Sequence, residues 1–342
     1  MLRLYFGGLL PTGQSHGGPH VFMNRLLRSI EKQNLAIPVQ RIYQPYDAAL
    51  FMVYKRRQLL PRPFVLRVDG IYIDRQNTVG DSNTLNQRIF KSIDRSSGVV
   101  FISEYSRKIT EEFHGSIGST SVVINNAVPL DIFNDKGPNM RSQLGIDPSE
   151  LVIVSSAHWR RHKRLEETLQ LFGLIKNTLK RKCRLLILGR NAGNIFTDDV
   201  IVVGEVSPNE LASWYRTGDV FLHLAWIEPC GNTHVEAMAS GLPTLCTNNG
   251  GVGEAVRASN GGIVSNADAP YDYTYVDAYD PPKPDFRVLL DDFQRIVEQL
   301  PAWKRSINRT VLDIDYVARR YVGFVNKIVS QTKRGQAQMV KT

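Results

Sequence analysis

The stretch Trp226 to Arg257, WIEPCGNTHVEAMASGLPTLCTNNGGVGEAVR, decides how the rest of the chain is read. It holds two glutamates, Glu228 and Glu236, with seven residues between them and Gly231-Asn232-Thr233 inside that interval. Ahead of it the apolar run Val220-Phe221-Leu222-His223-Leu224-Ala225, bounded by Gly218-Asp219, reads as a buried parallel strand. Behind it Asn232 or Thr233 is placed to cap a helix through Val235, Ala237 and Met238, which stops at Gly241-Leu242-Pro243. Glu228 then stands on the loop at the carboxyl end of a strand, and Glu236 about one turn inside a helix. The amides of that helix start suit an anion. One acid, an anion-binding amide cluster and a second acid together suit a nucleotide-sugar, which presents hexose hydroxyls, a diphosphate and ribose hydroxyls.

These residues resemble the retaining GT-B glycosyltransferases of the large family 4 class. The signature of that class is a glutamate, a glycine-rich turn and a second glutamate followed by Ala-Met-Ala-x-Gly-x-Pro. Here Glu228-Pro229-Cys230-Gly231 is followed by Glu236-Ala237-Met238-Ala239-Ser240-Gly241-Leu242-Pro243, and the match runs on through Gly250-Gly251 to Glu254. Outside such a frame, two acids at this spacing are usually solvated surface carboxylates. The resemblance implies an α/β chain of two Rossmann-like domains facing across a cleft. It also implies transfer of a hexose-type unit from a nucleotide diphosphate-sugar to an acceptor hydroxyl, with retention of anomeric configuration and with no metal or other cofactor. The acceptor class, whether a glycan, a lipid-linked sugar or a small molecule, stays open.

Composition fits this reading and chooses little. A chain of 342 residues has room for about two domains, and 42% hydrophobic with 22% charged residues is ordinary for a soluble globular protein. The net charge of +9 and the pI near 9.4 point to anionic partners. No basic run alternates with aromatics and no zinc spacing is present, which argues against nucleic acid. Cys183, Cys230 and Cys246 are unpatterned and suit a reducing compartment. Met1 to Leu10 is too short for a signal peptide, and no window of about twenty apolar residues offers a membrane span. The expected place is the cytoplasm, with the basic surface allowing peripheral contact with a membrane face.

From its start, the chain is read as a first domain over residues 1–134. Leu2 to Phe6 is a strand, and the loop Gly7 to Pro19 is rich in glycine, which lets backbone approach a ligand closely. Pro19 opens a helix with Phe22, Leu26, Leu27 and Ile30 on one face. Neither the dinucleotide fingerprint nor the Walker pattern is present. In the family this loop reaches the donor diphosphate, and Gly17-Gly18 match its glycine pair. Val39 to Ile42 reads as a short strand and Ala48 to Gln58 as a helix. Pro63 to Gly70 reads as a buried strand with Asp69 at its end, a candidate for the acceptor site because ligands bind outside the carboxyl ends of parallel strands. Gly98 to Ser103 is a further strand, with Ser103 as a helix cap. Ser121 to Phe133 resembles the family's close of the first domain, with Asn126-Ala127 where Asn-Gly is usual. Residues 135–149, polar and rich in Pro, Gly and Asn, are expected to be the linker.

The second domain is placed at 150–312. It opens with the strand Leu151 to Ser156 and the basic loop Ala157-His158-Trp159-Arg160-Arg161-His162-Lys163-Arg164. In the family this loop holds the donor diphosphate through an arginine and a lysine. Lys163 falls on that lysine; Ala157-His158 replaces the usual Gly-Arg, leaving Arg160, then Arg161, to supply the missing charge. Arginine clamps phosphate bidentately and lysine acts as a point charge. Strands are expected at Arg184 to Gly189 and at Val200 to Gly204, and Ser207-Pro208 with Glu210 is a sound helix start. In relatives the backbone near such a Val-Ser pair receives the nucleobase, here at Val206. On the same resemblance Gly231, Asn232 and Thr233 meet the diphosphate, Glu228 orients sugar hydroxyls and Glu236 holds the ribose diol.

The stretch 269–285 is crowded with Tyr271, Tyr273, Tyr275 and Tyr279 together with Pro281, Pro282 and Pro284, and reads as an ordered loop over a sheet edge. Residues 313–342 resemble the final family helix, which crosses back to the first domain. Asp313-Ile314-Asp315 spells the metal-binding D-x-D of another glycosyltransferase fold, but far from any nucleotide motif it reads as a decoy. Two other readings stay open: a catalytically silent nucleotide-sugar-binding subunit, given His158 and Asp69, and a nucleotide-sugar epimerase, whose signature is not the one at 226–254.

Overall fold

The computed structural model describes residues 1–7, 17–54, 63–73, 82–195, 197–272, 277 and 280–339. The chain forms two compact units, Met1–Ala127 with Asp313–Thr342, and Val128–Leu312. The break between them falls after Ala127, not at a separate linker. Residues 135–149 count in the second unit, where Ile146 is buried and Arg141 binds Asp219 at 2.6 Å. Their polar composition suggested a tether, yet Leu144 packs on the same core, the Met140 amide donates to the Thr217 hydroxyl at 2.9 Å and Arg216 donates to the Pro138 carbonyl at 2.9 Å.

The first unit runs β1 (Arg3–Gly7), α1 (Gly18–Lys32), β2 (Ile37–Val39), β3 (Ala48–Met52), β4 (Phe64–Val68), α2 (Ser82–Asp94), β5 (Gly98–Phe101), α3 (Glu104–His114) and β6 (Thr120–Val123). Its sheet is parallel throughout, in the order β2-β1-β3-β4-β5-β6. Ala48 to Met52, expected in a helix, is a strand with all five residues buried. A five-residue apolar run cannot be told from a buried helix segment by periodicity, and here the central sheet position claims it. Gln58, the expected end of that helix, lies outside the described residues. Ser103 caps α3 by accepting the Ser106 amide at 2.9 Å.

The second unit runs β7 (Leu151–Ser156), α4 (Leu165–Leu179), β8 (Cys183–Leu188), β9 (Val200–Gly204), α5 (Pro208–Thr217), β10 (Val220–His223), α6 (Thr233–Ala239), β11 (Thr244–Thr247), α7 (Val252–Ala258), β12 (Gly262–Ser265), α8 (Phe286–Glu298) and α9 (Leu300–Ser306). Again the sheet is parallel, ordered β12-β11-β10-β7-β8-β9. β7, β10 and β11 are buried at every position, as continuous apolar runs covered by helices on both faces should be. The chain then returns to the first unit as α10 (Ile314–Met339), which buries Val317, Ala318, Tyr321, Val325 and Ile328 in the same core as Phe22 and Leu26 of α1. Among the described residues no helix is long and apolar enough to cross a membrane.

Candidate active site in the second unit

β7 and β10 are hydrogen-bonded neighbours, so the loops leaving their carboxyl ends meet. From β7 comes the basic loop, which turns once at Arg161–Lys163 before α4. From β10 comes the loop carrying Glu228. Lys163 Nζ lies 2.6 Å from Glu228 Oε1, and His223 Nε2 lies 2.6 Å from Glu228 Oε2. The pair is largely enclosed, with 14% of the Lys163 side chain and 16% of the Glu228 side chain exposed. Burial works against the charge on Glu228, but Lys163 and His223 outweigh it and hold the carboxyl well below the usual carboxylate range.

The backbone around Glu228 is shaped for this. Ile227 sits at φ 45°, a left-handed conformation that a β-branched residue adopts only when its surroundings compel it. Its amide donates to Asn249 Oδ1 at 2.8 Å, and the Glu228 carbonyl accepts the Gly251 amide at 2.9 Å. A Cβ would crowd Glu228 at two positions. A Cβ on Gly250 would lie 2.5 Å from the Glu228 carbonyl oxygen, and one on Gly231 would lie 2.9 Å from Oε1.

Behind the carboxylate, His234 on α6 packs its ring 5.4 Å from that of His223. It is fully buried, and neither ring nitrogen has a hydrogen-bond partner among the described residues. Burial, and then the neighbouring His223, push its pKa down to about 3. His162 is held down to about 4 by burial and by Lys163, and its carbonyl accepts the Trp226 amide at 2.7 Å.

The remaining cations of the loop divide by role. Arg161 is committed to Glu167, with Nη1 at 2.8 and 3.0 Å from its two oxygens. Arg164 is fully buried against Asp268 at 2.7 Å. Arg160 is exposed and makes no ion pair among the described residues. His158, in place of the family arginine, has Nε2 3.0 Å from Asn191 Nδ2, and burial followed by Arg160 lowers its pKa.

Glu236 is buried, and its Oε2 accepts the Tyr215 hydroxyl at 3.2 Å. Asn232 occupies the N-cap of α6 without a side-chain cap bond, a correction to the capping expected of it, and Thr233 is the first helical residue. Val206 lies between β9 and α5, whose start carries the full Ser207–Glu210 capping box. In the first unit, Gly17 has φ 89° and precedes Gly18, the first residue of α1. Asp69 follows β4 and pairs with the Arg67 guanidinium, which also reaches Asn126 at 2.8 Å and lies 4.5 Å over the Phe22 ring. Asp313 and Asp315, the D-x-D decoy, are spent on the start of α10: Asp313 accepts the Asp315 amide at 2.9 Å and Asp315 accepts from Ser29 at 2.7 Å.

Four residues escaped the sequence reading. His223 is hidden in an apolar strand, and Arg67 likewise. Asn249 and Asp268 act through partners far off in sequence, which no local pattern signals.

Two parallel six-stranded α/β units with a charged cluster at the carboxyl ends of neighbouring strands define the GT-B class of glycosyltransferase folds. Within that class, residues 137–272 match the family model for glycosyl transferases group 1. It is 26% identical over 168 residues to alpha-monoglucosyldiacylglycerol synthase of Streptococcus pneumoniae, covering 44% of this chain and 37% of that protein. The chain spans about half or less of the length of the first curated relatives it matches. Solved structures share the fold. Sucrose-phosphate synthase from Thermosynechococcus elongatus superposes with a TM-score of 0.66 at 14% identity, covering 100% of both chains. Anabaena HepE in complex with UDP-glucose superposes with a TM-score of 0.61 at 14% identity, covering 98% of this chain and 100% of that one.

Proposed function

We propose that this protein transfers a sugar from a nucleotide diphosphate-sugar to an acceptor hydroxyl, with retention of anomeric configuration and without a divalent metal. The observation that carries this reading is the Lys163–Glu228–His223 cluster, built where ligands bind in parallel sheets. As the glycosidic bond breaks, the anomeric carbon gains oxocarbenium character and charge grows on the leaving diphosphate. Lys163, freed from full commitment to Glu228 when the donor enters, meets that charge together with Arg160 and the backbone of Gly231 to Thr233. Glu228, kept ionised by its partners, orients the sugar hydroxyls. Glu236 takes the ribose diol and Val206 the nucleobase, while Gly17-Gly18 and Asp69 keep the donor and acceptor roles given them by the family resemblance alone. The UDP-glucose complex of HepE supports a uridine donor as the first to try. With no spanning helix among the described residues and a net charge of +9, a cytoplasmic enzyme touching an anionic membrane face fits the composition.

The test is a thermal-shift screen against a panel of nucleotide diphosphate-sugars, followed by turnover with the best binder in the presence of EDTA. Stabilisation by one donor and its metal-independent consumption are expected. Stabilisation without turnover on any acceptor would leave a binding subunit, and activity lost to EDTA and restored by manganese would overturn the metal-free reading.

A further inference from the structure

One buried ion pair, Arg164–Asp268, lies outside the Lys163–Glu228 cluster yet is tied to both of its members. We infer that Asp268 and Asn249, braced by Tyr271, Asp277 and Pro282, are positioning residues that set Lys163 against Glu228; the inference rests on the reading of that pair as the donor site.

The connections form a closed ring. Arg164 follows Lys163 directly, with left-handed backbone at φ 54° and a side chain that is 0% exposed. Its Nη2 donates to Asp268 Oδ1 at 2.7 Å and its Nη1 to Oδ2 at 3.1 Å. Asp268 Oδ2 also accepts from Asn249 Nδ2. Asn249 Oδ1 in turn holds the Ile227 amide at 2.8 Å, one residue before Glu228. The ring thus joins the neighbour of Lys163 to the neighbour of Glu228 through two side chains. Arg164 further donates to the Leu224 carbonyl at 3.3 Å on the Glu228 side.

Three described residues after Asp268 bond to this ring or to Trp226 beside it. Tyr271 donates its hydroxyl to the Asn249 carbonyl and packs its ring 4.8 Å from Trp226. Trp226 Nε1 donates to the Asp277 carbonyl at 3.2 Å, and the Pro282 carbonyl accepts from Arg164 at 2.6 Å. A buried ion pair contributes little stability that packed apolar side chains could not supply. What it adds is direction: fixed angles at Arg164, and a fixed acceptor for an amide in strained backbone at Ile227.

Asn249→Asp keeps an acceptor for Ile227 but sets two carboxylates face to face, while Asn249→Ser removes the bonds without adding charge; both leave the Arg164–Asp268 pair its own partners. Two readouts are taken on the full chain: amide hydrogen exchange in peptides covering 160–165 and 226–231, and turnover with donor affinity. Asn249→Asp is expected to speed exchange in both peptides by about tenfold and to lower turnover at saturating donor by about tenfold, with donor affinity within about threefold. Asn249→Ser is expected to show the same two losses, and it is read alone should Asn249→Asp fail to fold. Unchanged exchange in both peptides would overturn the inference. So would a parallel fall of turnover, affinity and melting temperature. If exchange responds while the wild-type protein consumes no donor, the transferase reading is what fails and the positioning ring stands.

Discussion

At the residue scale, Glu228 and Lys163 carry most of the chemistry in the proposed reaction, and their pairing sets what each substitution should do. If Lys163 faces the charge that grows during bond cleavage, as proposed, Lys163→Ala should lower the single-turnover rate more than it weakens donor binding. The loss expected is about 3 kcal/mol of barrier, a hundredfold or more in rate, measured at saturating donor. His234 gives a second prediction, concerning stability and not rate. Its pKa falls from 6.5 in the unfolded chain to about 3 in the folded one. A depressed value means that its contribution is complete above pH 6.5 and is lost as pH falls toward 3, because only the unfolded chain takes up the proton. Between pH 7 and pH 5 that loss is about 2 kcal/mol. His234→Leu should therefore flatten the pH dependence of the second unit's unfolding over this interval, followed by denaturant melts at several pH values. An unchanged slope would mean that His234 is hydrated or protonated in the native protein.

At the scale of elements, the loop between β10 and α6 shows what can be read from sequence and what cannot. The two glutamates, the glycine turn and the helix stop follow local rules, and the structure places them on the expected loop and helix. Ser103 and Ser207 cap their helices for the same local reason. Ala48–Met52 did not yield to local rules, since five apolar residues serve a strand or a helix equally and only the neighbouring strands decide. His223 reads as one more strand residue until the chain brings Glu228 back onto it. Arg164 and Asp268 are 104 residues apart, beyond the reach of any spacing argument. Gly250 is a test of how tightly this loop is built. Its missing Cβ leaves room for the Glu228 carbonyl, so Gly250→Ala must push the loop aside. Turnover should fall at least about tenfold while the melting temperature drops by only a few degrees, about 1 to 2 kcal/mol. A fully active Gly250→Ala enzyme would show that the loop has slack.

At the scale of the whole molecule, the first unit is assembled from both ends of the chain and the second from its middle. α10 supplies Val317, Tyr321, Val322, Val325 and Ile328 to the first unit's core. Burying each such side chain is worth about 1.5 to 3 kcal/mol, so together they match the whole stability of an ordinary domain. A chain ending at residue 312 should therefore hold its second unit and lose its first. Limited proteolysis should then cut within 1–127 and spare 128–312. A protected first unit in the shortened chain would mean that α10 is dispensable.

The same division inverts the usual order of events during synthesis. A ribosome working from the amino terminus completes Val128–Leu312 before it delivers Asp313–Thr342, the last part of the first unit. At about 5 to 20 residues per second, that final segment takes a few seconds more to appear. Through that interval the strands made first wait with an open apolar face where α10 will lie, while residues 128–312 have already been made. The part of the chain born first is finished last, and it is the part that a nascent-chain chaperone would be expected to hold.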